Sequence, residues 1–158
     1  MKVRKAQLSD AEEIHSLVSL FVPTGELLAV PLVNIYESIR DYFVAEEGSE
    51  VVGTVALKVL WKDLAEVRSL SVHPSAQGKG VGRMLVEACL DEAEELGIPR
   101  VFALTREGGF FERLGFTRCK KEELPQKIWF DCVRCPKFPH LCDEEAFLYR
   151  VERGEVLR

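Results

Sequence analysis

Three glycines at alternate positions, Gly78, Gly80 and Gly82, lie in the stretch Leu70-Ser71-Val72-His73-Pro74-Ser75-Ala76-Gln77-Gly78-Lys79-Gly80-Val81-Gly82-Arg83, where an extended apolar run hands over to an amphipathic one. Glycine lets backbone approach a ligand closely. At the start of a helix the first amides lack intrahelical acceptors and the dipole is positive, so such a loop suits one anion, most naturally a pyrophosphate. Lys79 and Arg83 add positive charge beside it. The stretch lacks the Gly-Lys-Ser/Thr of a Walker A loop and the six-residue dinucleotide fingerprint, which leaves a plain glycine-rich turn as the alternative. A second group, Cys132-x-x-Cys135 with His140 and Cys142, has the ligand types of a zinc site. It is half a motif, and His140 lies only two residues from Cys142, which is tight for both to bind one ion. We read these thiols as reduced, buried or redox-sensitive, and assign no metal.

These residues need elements to position them. Val3 to Ala6 reads as a strand, and Ser9-Asp10-Ala11-Glu12 has the pattern of a capping box ahead of Ile14, Leu17, Val18 and Phe21 at helical spacing. Pro23, Gly25 and Pro31 interrupt, and a short helix is expected over Asn34 to Arg40. Tyr42 to Glu46 and Val51 to Leu60 read as strands joined by the hairpin turn Glu47-Gly48-Ser49-Glu50. Ala65 to Val72 is the next strand, followed by a helix from about Gly80 to Leu96, stopped by Gly97 and Pro99. Val101 to Thr105 is a strand, Phe110 to Leu114 a short helix, and Gly115-Phe116 a turn into another strand. This order implies a mixed sheet with helices on both faces, an α/β or α+β fold in a single domain of residues 1–158.

At 158 residues, 47% hydrophobic and 30% charged, the chain has enough material for one good core. A net charge of −5 argues against a general role on nucleic acid or an anionic membrane. The N-terminus lacks a signal-like apolar core, and no apolar run approaches the roughly 20 residues needed to span a bilayer, so a cytoplasmic location is expected. The five cysteines, Cys89 and Cys119 besides the three above, form an odd set that fits reduced thiols better than a disulfide framework.

Gln77-x-x-Gly80-x-Gly82, after a strand and before an amphipathic helix, resembles the acetyl-CoA motif of the GNAT superfamily of N-acetyltransferases. Phe111-Glu112-Arg113-Leu114-Gly115-Phe116 resembles the later helix-to-strand signature of the same enzymes. The resemblance implies a mixed, mostly antiparallel central sheet and acetyl-CoA as acetyl donor. It further implies that the backbone of Leu70, Ser71 and Val72 pairs with the pantetheine arm and that amides from Gln77 through Gly78, Lys79, Gly80, Val81 and Gly82 to Arg83 hold the pyrophosphate. An amine attacks a thioester only when neutral, so a base is needed at pH 7. Glu66, six residues before Val72 and at period two with Arg68 and Leu70, is the candidate, and it matches the position of the glutamate base in similar enzymes. Phe111 stands where the superfamily usually places a tyrosine that protonates the leaving thiolate, and it is expected against the cofactor.

The tail from Glu123 to Pro139 resembles short, stand-alone N-acetylglutamate synthases, which implies glutamate as the acceptor and a place in arginine biosynthesis. Two carboxylates are best clamped by arginine forks. By that resemblance Arg4 and Arg106 handle the substrate carboxylates, with Arg68 and Lys127 as further candidates. One element differs: the similar synthases carry Pro-Arg-Ser before the second helix, whereas this chain reads Ala29-Val30-Pro31. Another small amine or a protein amino group is therefore the alternative acceptor. A non-catalytic acyl-CoA-binding module is the alternative from a different class, and a homodimer is an expectation of the superfamily.

Overall fold

Apolar residues at alternate positions in the first half of the chain produce strands with one face for each of two helical layers. The computed structural model describes residues 1–124, 134–135 and 144–151. The chain divides into two compact units, Met1–Lys58 with Val67–Glu92, and Val59–Glu66 with Ala93–Arg158. The strands form one seven-stranded sheet in the order β1-β2-β3-β4-β5-β7-β6. Its pairings are antiparallel except that of β4 with β5, among those described.

In the first unit, β1 (Lys2–Lys5) pairs antiparallel with β2 (Tyr42–Glu47), and β2 pairs antiparallel with β3 (Glu50–Trp61) through a hairpin that turns at left-handed Gly48. Helix α1 (Ala11–Ser19) buries Ile14 and Val18, which pack with Ile35 of α2 (Leu32–Glu37) on Tyr42, Val44 and Ala56. Gly53 has the opposite parity to Ala56 on β3 and so faces the other side of the sheet. There a Cβ would lie 3.1 Å from Val81 and Leu85 of α3 (Val81–Leu96), so glycine lets that helix approach the strand closely. The layering expected from sequence is thus present within this unit. The Thr54 hydroxyl, fully buried, donates to the Phe43 carbonyl at 2.8 Å, which satisfies the polar group inside the core.

The entry to α1 differs from the expected capping box. A single 3-10 turn, Leu8–Asp10, precedes the helix, and the Asp10 carboxylate accepts the Gln7 amide at 2.7 Å. Asp10 rather than Ser9 organises this corner because it also meets Arg4. The two guanidinium Nη atoms of Arg4 donate to the two Asp10 oxygens at 2.8 and 3.0 Å, and Nη2 donates to Glu46 Oε2 at 3.0 Å. A bidentate pair of this kind, with Asp10 6% exposed, fastens β1 to the start of α1.

In the second unit, the first residues of β4 (Leu64–Val72), up to Glu66, pair parallel with β5 (Arg100–Thr105) at Ala65↔Val101 and Glu66↔Phe102. Strand β7 (Glu145–Arg150) lies antiparallel between β5 and β6 (Thr117–Cys119). One face of this unit gathers Leu64, Phe102, Leu124, Ala146 and Leu148. Phe147 and Tyr149, of opposite parity, serve the other face with α4 (Gly108–Arg113). A Cβ on Gly108 would stand 2.3 Å from the Phe147 ring, so the helix can sit there only because that residue has no side chain. Among the described residues no helix is long and apolar enough to cross a membrane.

The Arg4 clasp gives a signed pH dependence. The Arg4 guanidinium holds the Asp10 carboxyl below its ordinary 3.8, opposed by burial and helped by the Gln7 amide. Because the folded pKa is depressed, the stabilisation is fully present above about pH 4 and is lost as pH falls through the folded value. Arg4→Met should lower stability by about 1.5–3 kcal/mol between pH 5 and 7 in urea unfolding. The gap to the parent should narrow below pH 4; a gap independent of pH would show that the ion pair is not its source.

Candidate active site

The hand-over from β4 to α3 contains most of the residues singled out for ligand binding. Ser69, inside β4, has a left-handed backbone with φ 56°, and Ser71 is 1% exposed with its hydroxyl donating to the Ser69 carbonyl at 3.1 Å. Leu70 and Val72 flank it, both half-buried. The His73 amide returns to the Val52 carbonyl at 2.8 Å, and a 3-10 turn, Pro74–Ala76, follows. His73 Nδ1 accepts the Ser75 amide at 3.1 Å, which caps that turn, and the Gln77 side-chain amide donates to the Val72 carbonyl at 3.0 Å.

Gly78 and Gly80 then take φ 80° and 82°, in the left-handed region that side chains disfavour, although a Cβ on either would meet nothing within 4 Å. Backbone conformation, not space, requires glycine at both. The Met84 amide bonds to the Gly80 carbonyl at 3.1 Å and opens the helical ladder. The amides of Val81, Gly82 and Arg83 precede it and have no intrahelical acceptor, so they form a ready anion site at the positive end of α3. Lys79 Nζ lies 3.7 Å from Glu47, and Arg83 pairs with Glu87 at 3.0 Å across one helical turn. Both bases are exposed and partly offset by these acids, so the backbone amides are the stronger element of the site.

Glu66 lies in the second unit, 5% exposed, opposite Phe102 in the parallel ladder and two residues from Leu64, hence on the face with Leu64 and Phe102. Asp10, Thr54, Glu66 and Ser71 are the buried polar residues among those described, and two of the four are on β4.

The predicted substrate arginines fall in different settings. Arg4 is engaged by Asp10 and Glu46, so a substrate carboxylate would have to compete with two resident acids. Arg68 is half-buried on β4 and acts electrostatically on Asp41 and Tyr42. Burial pushes the Asp41 carboxyl up, and Lys5, Lys58 and Arg68 oppose that rise. Burial likewise pushes the Tyr42 phenol up, opposed by Arg68. Lys58 thus stands with Lys5 and Arg68 as one of three cations acting on Asp41. Sequence reading passed over Lys58; the available signal was a lysine interrupting the apolar run Val55-Ala56-Leu57-Lys58-Val59-Leu60. Arg106 is exposed just beyond β5, where the Thr105 hydroxyl accepts the Glu107 amide at 2.8 Å.

Phe111 is 5% exposed and edge-on to Phe110 and Phe116, each at 5.1 Å between ring centres. Its ring fills the α4 face of the second unit and has no proton to give. Cys135 is a half-buried free thiol, whereas Lys127, Cys132, His140 and Cys142 lie outside the described residues.

Residues 14–116 match the acetyltransferase (GNAT) family. The chain is 42% identical over 146 residues to an uncharacterised N-acetyltransferase of Chlorobaculum tepidum, covering 92% of this chain and 94% of that one. It is 38% identical over 136 residues to an amino-acid acetyltransferase of Mycobacterium tuberculosis, covering 84% of this chain and 77% of that one. The crystal structure of the mycobacterial protein, in complex with CoA, superposes with a TM-score of 0.84 at 32% identity over 96% of this chain and all of that one. An N-acetylglutamate synthase of Neisseria gonorrhoeae, in complex with CoA and N-acetyl-glutamate, gives a TM-score of 0.84 at 25% identity; 96% of this chain covers 35% of that longer protein. With the sheet, the glycine loop and these likenesses together, the chain belongs to the GNAT family and is an N-acetyltransferase that uses acetyl-CoA as its acetyl donor.

Proposed function

We propose that the chain, acting as one acetyltransferase domain, acetylates the amino group of glutamate by direct attack in a ternary complex, a reaction that serves arginine biosynthesis. The observation that carries this reading is the 38% identity, over most of both chains, to an amino-acid acetyltransferase. The resemblance of the 123–139 tail to short N-acetylglutamate synthases supports it from a different part of the sequence.

In this reading the amides from Gln77 to Arg83 hold the pyrophosphate, and the backbone of Leu70, Ser71 and Val72 receives the pantetheine arm. Glu66, buried on β4, takes the proton from the substrate ammonium, directly or through a water, so that the neutral nitrogen can attack the thioester carbonyl. A carbon–nitrogen bond forms and the carbon–sulfur bond breaks. The Val72 amide stabilises the oxyanion between those two events. Phe111 cannot supply a proton, and a thiol with pKa about 8.5 can leave as thiolate or take its proton from water. Arg68, Arg106 and Lys127 are the candidates for the substrate carboxylates, while Arg4 already pairs with Asp10 and Glu46.

A second acceptor class, another small amine or a protein amino group, is favoured by one observation: Ala29-Val30-Pro31 stands where the similar synthases carry Pro-Arg-Ser. Free-thiol release from acetyl-CoA against glutamate, aspartate, glutamine, other amino acids and simple polyamines separates the two. Glutamate is expected to give the highest kcat/KM. Activity with a different amine alone would move the chain to the second class, and silence across the panel would point to a protein acceptor or a non-catalytic binding module. With the best acceptor, Glu66→Gln should cut turnover by about 100-fold or more while the Kd for acetyl-CoA changes little. Unchanged turnover across pH would remove Glu66 from the mechanism.

A further inference from the structure

Among the described residues, Ser69 is the one non-glycine with a left-handed backbone, and it lies inside the strand that leads to the glycine loop. A residue with a Cβ resists that conformation, so other interactions must hold it. Ser71 is placed to do so. The residue is 1% exposed, and its hydroxyl donates to the Ser69 carbonyl at 3.1 Å. A buried hydroxyl costs stability unless it is hydrogen-bonded, and an alanine would fill nearly the same space at this position without that cost.

The Val72 carbonyl accepts the Gln77 side-chain amide at 3.0 Å. The bend of β4 is thus bracketed by two side-chain-to-backbone bonds, one at Ser69 and one where the strand meets the loop. On the β3 side, Gly53 offers no side chain near Ser71; even a Cβ there would be 3.4 Å from the Ser71 carbonyl. The Ser71 hydroxyl therefore adds to the sheet pairing of β4 a side-chain bond aimed at the bend itself.

We propose that Ser71 is a positioning residue, whose buried hydroxyl holds the left-handed turn at Ser69 and thereby aims the backbone of Leu70, Ser71 and Val72 at the pantetheine arm and thioester of acetyl-CoA. This rests on the reading that β4 receives the acyl-pantetheine group. Ser71 touches no reacting atom through its side chain; it acts through the backbone that Ser69 bends.

The test introduces Ser71→Ala into the parent and into a Ser69→Gly background, since glycine adopts the left-handed turn without help. Binding is measured for acetyl-CoA and for 3′-phospho-ADP, which has the pyrophosphate and lacks the pantetheine arm, and kcat and KM follow with the best acceptor. In the parent, Ser71→Ala should weaken acetyl-CoA binding on the order of 5-fold and leave 3′-phospho-ADP within twofold. In the Ser69→Gly background the acetyl-CoA loss should shrink below twofold. If Ser71→Ala alone does not fold, the double variant should still bind acetyl-CoA in preference to 3′-phospho-ADP, and failure to do so overturns the proposal. An equal loss in both backgrounds shows that the hydroxyl does not serve Ser69. A fall in thermal stability with an unchanged acetyl-CoA to 3′-phospho-ADP ratio shows instead that the lock is structural and that β4 does not read the pantetheine arm.

Discussion

Backbone amides can hold an anion only if they are aimed at it before it arrives, and here two left-handed glycines, Gly78 and Gly80, set that aim. Each turns the chain so that the first amides of α3 precede the helical ladder and remain available. Neighbouring features follow from the same need. Gly53 lets the first turn of α3 close on β3, with Val81 and Leu85 fully buried there, and Gln77 ties the loop back to the end of β4. Cys89, further along α3, is fully buried, and burial pushes its thiol far up, so it packs and does not react. The exposed Lys79 and Arg83 contribute less, since each already has an acidic neighbour.

Strand β4 serves several tasks in nine residues. Its first half is paired with β5 and holds Glu66 against an apolar face. Its second half bends at Ser69. In the proposed reading the base Glu66 and the backbone that receives the cofactor share this one strand, which holds two of the four buried polar residues among those described. Phe111 is a phenyl ring packed between Phe110 and Phe116, with no proton to give a leaving group; in the proposed mechanism the low basicity of a thiolate takes the place of an acid.

Much of this was legible in the sequence, for identifiable reasons. The alternating apolar pattern of β2 to β5 and the glycine spacing at Gly78, Gly80 and Gly82 are local signals, and the elements fell within a few residues of the expected positions. Strand β7 was not recognised. Its Ala-Phe-Leu-Tyr run follows a long connection, and its insertion between β5 and β6 is a non-local pairing that no nearby turn announces. The partners of Arg4 were hidden for the same reason: Glu46 is 42 residues away, and Asp10 looked like part of a helix cap. Lys58 and the left-handed turn at Ser69 depend on strand register and on a bend that serine does not advertise.

The central claim is that acetyl-CoA is held by backbone, with the pyrophosphate on the first turn of α3 and the pantetheine arm along the end of β4. Backbone amide NMR during titration with acetyl-CoA and with 3′-phospho-ADP tests it most directly. Both ligands should shift the amides of Gly80 to Arg83, and acetyl-CoA alone should also shift those of Leu70 to Val72. Shifts from both ligands that leave Gly80 to Arg83 untouched, or acetyl-CoA shifts that spare β4, would contradict the account.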